Sequence, residues 1–218
     1  MIKVAIVDDH VLFRKSLRML VDSFEGVSVV IDASSDLDFF EQLQKEPIDL
    51  LLLDIQMGGL NGYDVCKLVR KEYPAIKVLM VSQLTNRESI QKVMDAGAHG
   101  FFTKNSDPQQ LAQAIKSITE KDFYFAQELG SVIKEVLQYE KTKETGALFD
   151  AGLSKREIEV IEMACREYSS SEIGDRLFIN VRTVETHRKR IMEKTNSKNF
   201  LGSILYAIKN NLVQLEEI

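Results

Sequence analysis

The chain has 218 residues, with 28 lysines and arginines against 33 aspartates and glutamates, and a formal net charge of −5 at neutral pH. That length accommodates one large domain or two ordinary ones, and an apolar share of 44% is enough for packed cores. No run reaches eighteen apolar residues, which excludes a helix long enough to span a bilayer. Met1-Ile2-Lys3-Val4 begins a strand without a signal or transit segment, so a cytoplasmic location is expected. Cys66 and Cys165 fall in helical patterns far apart and read as reduced packing residues, not a disulfide or metal pair.

From residue 1 to about 120, short aliphatic runs near 3–7, 28–31, 49–53, 77–81 and 99–103 alternate with segments of helical spacing. The latter include Leu12, Leu17, Leu20 and Val21; Val65, Leu68 and Val69; and Leu111, Ala114, Ile115 and Ile118. Five strands alternating with five helices predict a parallel sheet covered on both faces. Leu50–Leu53 is apolar throughout, as a strand buried on both sides should be. Asp107-Pro108 predicts a cap and first turn for the fifth helix.

The polar residues that end these runs carry the chemistry. Val4–Val7 runs into Asp8-Asp9, and Leu50–Leu53 into Asp54; Val78–Val81 ends in Ser82, and Gly100–Thr103 in Lys104. Ligands of open α/β sheets collect at the carboxyl ends of the strands, where strand order reverses. One site holding three acids, a hydroxyl and a lysine is therefore expected. Such a cluster repels itself unless a hard cation enters it, and an oxygen-rich carboxylate set without Cys or His suits Mg²⁺. The cation neutralises charge between a carboxylate and a phosphoryl group, so the site suits acyl-phosphate formation on one aspartate. Each element also has a plainer reading. Asp8-Asp9 serves equally as a helix cap and dipole partner, and Asp54 as the opening of a turn helped by Gly58-Gly59.

Val7-Asp8-Asp9-His10, Leu53-Asp54-Ile55-Gln56-Met57, Val81-Ser82-Gln83 and Phe102-Thr103-Lys104 together resemble the signature positions of a bacterial response-regulator receiver domain, over about residues 1–120. The resemblance implies a flavodoxin-like, doubly wound α/β fold with Asp54 as phospho-acceptor. It implies Mg²⁺ held by Asp9, Asp54 and the backbone carbonyl of Gln56, with Asp8 acting through water, and Ser82 and Lys104 on the phosphoryl group. Phe101, with Ser82, matches the switch positions. Gly58 stands where the family often has Pro, which predicts a looser loop, and Asn105 follows the lysine in place of a frequent Pro. Gln56 and Leu84 occupy positions that tune dephosphorylation in the family.

Between 123 and 149 the sequence predicts a linker helix, marked by Leu129, Val132, Ile133, Val136 and Leu137, and then a flexible polar stretch. Only helix signals follow. Ser154-x-x-Glu157 and Ser169-x-x-Glu172 are capping boxes. Phe178-Ile179-Asn180 is a break, with Asn180 capping a helix from about Val181 to Lys194, and a fourth helix runs from Phe200 to Asn210. Residues 1–150 carry 17 basic and 23 acidic groups, net −6, whereas 151–218 carry 11 and 10, net +1. Residues 180–198 hold six basic groups against Glu185 and Glu193, net +4, which points to an anionic partner. In the helix itself Val184, His187 and Ile191 face inward, and Arg182, Glu185, Thr186, Lys189 and Arg190 face out. A basic, mixed-polar helix after a tight turn suits the major groove: lysines and arginines neutralise phosphates, Glu185 can accept from cytosine and Lys189 can reach guanine. A solvated basic face and a four-helix interaction module remain the alternatives.

Leu153–Val160, Glu172–Ile179 and Val181–Lys189 resemble a LuxR-type helix-turn-helix over about residues 150–215. Gly174 replaces a usual Ala, at about 1 kcal/mol of helix propensity. The resemblance implies double-stranded DNA as partner, with Arg182, Thr183, Glu185, Thr186, His187, Arg188, Lys189 and Arg190 as contact residues. The whole chain is similar to NarL/FixJ-type response regulators: a receiver over 1–122, a linker over 123–149 and a four-helix DNA-binding domain over 150–218. A sensor histidine kinase would be the phosphoryl donor, phosphorylation would favour a homodimer or release the DNA-binding domain, and no membrane or substrate turnover is expected beyond the receiver's own phosphoryl transfer and dephosphorylation. Three rivals carry other expectations. A carboxylate-nucleophile phosphatase of the haloacid-dehalogenase kind wants a second Asp two residues on, where Gln56 and His10 stand. A constitutive DNA-binding protein would keep the receiver as scaffold only, and a protein-interaction adaptor would show no salt-dependent DNA binding.

Overall fold

The structure is a computed structural model that describes residues 1–83, 86–124, 151–166, 168–210 and 212–213, without the Arg87 side chain. Of the linker expected over 123–149, residues 125–149 lie outside the described residues, as does Leu84.

The first part alternates strands β1 (Ile2–Val7), β2 (Val27–Ala33), β3 (Leu50–Asp54), β4 (Lys77–Ser82) and β5 (Gly100–Thr103) with helices α1 (Val11–Asp22), α2 (Asp36–Leu43), α3 (Gly62–Glu72), α4 (Arg87–Ala96) and α5 (Pro108–Lys121). The strands form one parallel sheet in the order β2-β1-β3-β4-β5. β3 is central, and all five of its residues are buried. That accounts for its unbroken leucine run, because helices cover both faces. Strand order reverses at β1, so a crevice opens beyond the carboxyl ends of β1 and β3. The register pairs Val7 with Leu53, which brings Asp8-Asp9 and Asp54 to the same end of the sheet.

Helix starts follow their caps. Asn61, Asn86 and Asp107 accept from the backbone N–H groups of Asp64, Ser89 and Gln109. Pro108 occupies the first turn of α5, and Gly97 ends α4 at φ +83°. Beyond α5 the chain stays packed through Tyr124, whose N–H donates to His99 at 3.0 Å and which bridges Gly100.

The second part contains α6 (Lys155–Cys165), α7 (Ser170–Leu177), α8 (Val181–Lys194) and α9 (Phe200–Lys209). Both capping boxes form, at Ser154 with Glu157 and at Ser169 with Glu172. Val160, Ile161, Ile173, Val184, Ile191, Ile204 and Leu205 are buried together as the apolar side of all four helices. Phe178 ends α7 at φ +55° and is almost wholly exposed. Gly174 is there for space as well as shape: a Cβ on it would stand 2.8 Å from the Ile179 carbonyl oxygen. Its propensity cost therefore accompanies a close turn between α7 and α8. Both cysteines are free. Among the described residues no helix is long and apolar enough to cross a membrane.

Candidate functional site

The crevice gathers three acids from two segments and a lysine from a third. Asp8 and Asp54 are 2% and 3% exposed, whereas Asp9 is exposed to solvent. Asp8, Asp9, His10 and Asp54 each offer one ligand atom, all within 4.8 Å of one another. Lys104 enters from the end of β5, its Nζ 2.6 Å from Asp8 Oδ2 and 3.1 Å from Asp54 Oδ2. The Phe13 ring lies 4.4 Å from the same Nζ and walls it from solvent.

Backbone geometry fixes these carboxylates. Asp8 Oδ1 accepts from the His10 N–H at 2.8 Å, and the Asp8 carbonyl accepts from Arg14 Nη1 at 2.5 Å. Arg14 is in turn held by Asp32 at 2.6 Å. Asp54 Oδ1 accepts from the Ile55 N–H at 2.9 Å. Asp54 Oδ2 is buried, and beyond its ion pair with Lys104 it meets no hydrogen-bond donor. Gly62 admits α3 to this spot, because a Cβ there would collide with the Asp54 carbonyl oxygen. Gly58 donates its N–H to Asp9 Oδ2 at 3.0 Å, a bond that Pro cannot make. The loop expected to be looser without that Pro is thus tethered to an acid of the cluster.

Burial, and then the Asp8 charge, push the Asp54 carboxyl above its ordinary value, and Lys104 offsets this only in part. His10 Nδ1 lies 3.0 Å from Asp9, 3.3 Å from Asp8 and 3.9 Å from Asp54, a proximity that spacing alone did not reveal. Only its adjacency to Asp8-Asp9 could have signalled it. A buried carboxylate whose single lysine partner is shared with Asp8, set among further carboxylates, fits a hard divalent cation. Ser82 is fully buried at the end of β4, and Phe101 is buried in β5.

On α8 the residues expected to contact DNA divide. Arg182, Thr183, Glu185, Thr186, Lys189 and Arg190 are exposed. Asn180 and the Thr186 hydroxyl bond locally, to the Arg182 N–H and carbonyl. His187 is half-buried, and its Nδ1 has no hydrogen-bond partner. Arg188 departs from expectation. It is 4% exposed, donates to Ser170 Oγ at 2.8 Å and to the Lys121 carbonyl at 2.6 Å, and pairs with Asp122 at 3.2 Å. It shares its side of the helix with Val184 and Ile191, four before and three after, so it points away from the exposed face and is not placed to contact DNA there.

Comparison with known proteins agrees with both halves. Residues 4–116 match the response regulator receiver domain, and residues 151–207 match the bacterial regulatory proteins of the luxR family. The oxygen regulatory protein NreC of Staphylococcus epidermidis is 29% identical, over 97% of this chain and 99% of that protein. The response regulator UvrY of Escherichia coli K12 is 28% identical, over 100% and 99%. RcsB of Salmonella enterica serovar Typhimurium, solved bound to a promoter, shares the fold. Its TM-score is 0.59 at 20% identity, over 96% of this chain and 98% of that one.

Proposed function

Because the chain belongs to the response regulator receiver family and carries a LuxR-type DNA-binding domain, we propose that it is a transcription regulator controlled by phosphorylation of Asp54. A sensor histidine kinase supplies the phosphoryl group. Asp54 Oδ2 forms the new O–P bond as the N–P bond of the donor phosphohistidine breaks, and the imidazole leaves. The observation that carries this reading is the buried Asp54 Oδ2, held among further carboxylates with only the Lys104 ammonium, 3.1 Å away, as its partner.

Asp9, Asp54 and the Gln56 carbonyl would hold Mg²⁺, with Asp8 acting through water. When bound, the cation neutralises charge between carboxylate and phosphoryl oxygens. Lys104 exchanges its contact with Asp54 for one with the transferred group, and the Ser82 hydroxyl donates to the same group. Repacking at Ser82 and Phe101 then favours a dimer, so that two α8 helices read paired half-sites in double-stranded DNA. The division into a receiver over 1–122, a linker over 123–149 and a DNA-binding domain over 150–218 belongs to this reading. So do a cytoplasmic location and self-dephosphorylation as the receiver's only hydrolytic chemistry.

The test is intact mass after incubation with a small acyl-phosphate donor and Mg²⁺, for wild type and Asp54→Asn. One phosphoryl adduct on wild type alone is expected. An adduct on both would move the acceptor elsewhere.

A further inference from the structure

Arg188 has a partner set that reaches across the two halves of the chain. Its guanidinium lies 4.2 Å from the centre of the Phe200 ring, and Phe200 packs on Phe123 with ring centres 6.3 Å apart. One side of the guanidinium stays within its own domain, on Ser170. The other meets the end of α5. The Lys121 carbonyl is among the terminal carbonyls that a helix cannot satisfy internally, and a cation is favoured at that end. Asp122, the C-cap of α5, is held at φ +71° and is bridged to Lys77 of β4 as well as to Arg188. Arg188 therefore caps a receiver helix from the other domain.

A second set of contacts grips the turn between α4 and β5. Asn199 donates to the Ala98 carbonyl, Lys198 Nζ to the Asp95 carbonyl at 2.5 Å, and Arg70 to the Lys198 carbonyl at 3.5 Å. The stem of Lys198 packs over Gly97, where an added Cβ would stand 3.3 Å from Lys198 Cβ. Both sets lie at the opposite end of the sheet from Asp54, because they involve the start of β5 and the end of α5.

Helical phase sets what this docking leaves open. At about 100° per residue, Lys189 and Arg182 point roughly 100–120° from Arg188, and Thr186 about 160°. All three are exposed in the docked chain. The receiver holds the back of α8 and leaves its front uncovered.

We propose that Arg188 is the positioning residue of an interdomain mount, which fixes α8 to the receiver through Lys121 and Asp122 with its DNA-facing side already presented. The mount concerns the docked chain itself; only its consequence for DNA rests on the DNA-binding reading above. The test uses the full-length, unphosphorylated chain as wild type, Asp122→Asn and Arg188→Lys. Asp122→Asn lies outside the helical core, and Arg188→Lys keeps the charge while losing the two-sided reach of the guanidinium. Small-angle scattering reads domain separation. Fluorescence anisotropy with a mixed-sequence 30-base-pair duplex at low salt reads DNA binding. The expected result is a larger radius of gyration in both variants, with duplex affinity within about twofold of wild type. An unchanged radius in both would overturn the mount. A gain in affinity of about tenfold or more on loosening would also overturn it, because the receiver would then be a cover. If wild type and variants all fail to bind the duplex, the DNA-binding reading fails, while the scattering still judges the mount.

Discussion

Lys104 Nζ stands 3.1 Å from Asp54 Oδ2, a contact between the ends of two strands that are not neighbours in the sheet. The same ammonium lies 2.6 Å from Asp8, so one cation serves two buried carboxylates. Lys104→Met leaves both without it. We expect the rate of phosphoryl transfer to Asp54 to fall by about 10²-fold or more, as when a preorganised charge is removed from a reaction centre. A time course of adduct formation by mass spectrometry checks this, and an unchanged rate would remove Lys104 from the chemistry.

The Asp54 side chain is under electrostatic stress, from burial first and then from Asp8. Asp54→Asn should therefore raise the stability of the cation-free protein at neutral pH by about 1 kcal/mol. The midpoint of urea unfolding in a chelator gives the answer. Millimolar Mg²⁺ should then stabilise wild type more than the variant, because a ligand stabilises only the state that binds it. Equal shifts in both proteins would count against a site that includes Asp54.

His99 offers a separate acid sensitivity. It is buried at the start of β5, and its Nδ1 accepts from the Val78 N–H at 3.0 Å, which keeps the ring neutral. Burial, then the charges of Arg70 and Lys77, lower its pKa to about 3. The unfolded chain takes up this proton first, near pH 6.5, so the stability is complete above that pH and is lost as pH falls toward 3. The expected slope approaches about 1.4 kcal/mol per pH unit below 6.5. Asp122 titrates elsewhere. Burial alone would raise its carboxyl, but Arg188 and Lys77 hold it below the ordinary carboxylate value. Its contribution is present above about pH 3.9 and fades only as pH drops through the lower folded value. Urea midpoints between pH 5 and 8 should flatten in His99→Gln; the same slope in variant and wild type would rule His99 out as the source.

Two neighbours on α8 should behave differently toward nucleic acid. Lys189 is exposed on the front, and Lys189→Ala is expected to reduce the salt slope of duplex binding by about one. Arg188→Lys, on the buried side, should leave that slope unchanged. Anisotropy titrations at several salt concentrations separate them, and equal losses of slope would put both on the phosphate backbone.

Much of the receiver was legible because its strands are short and four of the five run straight into Asp8, Asp54, Ser82 and Lys104. The leucine run of β3, the Asp107-Pro108 start of α5 and the two capping boxes all appear where local chemistry places them. Arg188 was misread because composition sees only another positive charge in a basic segment. Its spacing from Val184 and Ile191 is that of a core position, so the periodicity held the signal and the charge masked it. The tether from Gly58 to Asp9 was invisible for another reason. A glycine in place of a proline suggests freedom, whereas here it restores an N–H donor. Contacts between the halves, such as Asn199 to the Ala98 carbonyl, depend on docking that no local pattern encodes.

Helix α5 begins four residues after Lys104 and ends on the carbonyl that Arg188 holds. Its 14 residues span about 21 Å at 1.5 Å per residue. It is therefore placed as a lever arm between the acidic crevice and α8. A tilt of about 3° around its Pro108 end carries Lys121 through roughly 1 Å, enough to stretch a 2.6 Å hydrogen bond to the limit of its range. Motion at the crevice too small to alter the sheet would arrive at the recognition helix as a change in how firmly it is aimed.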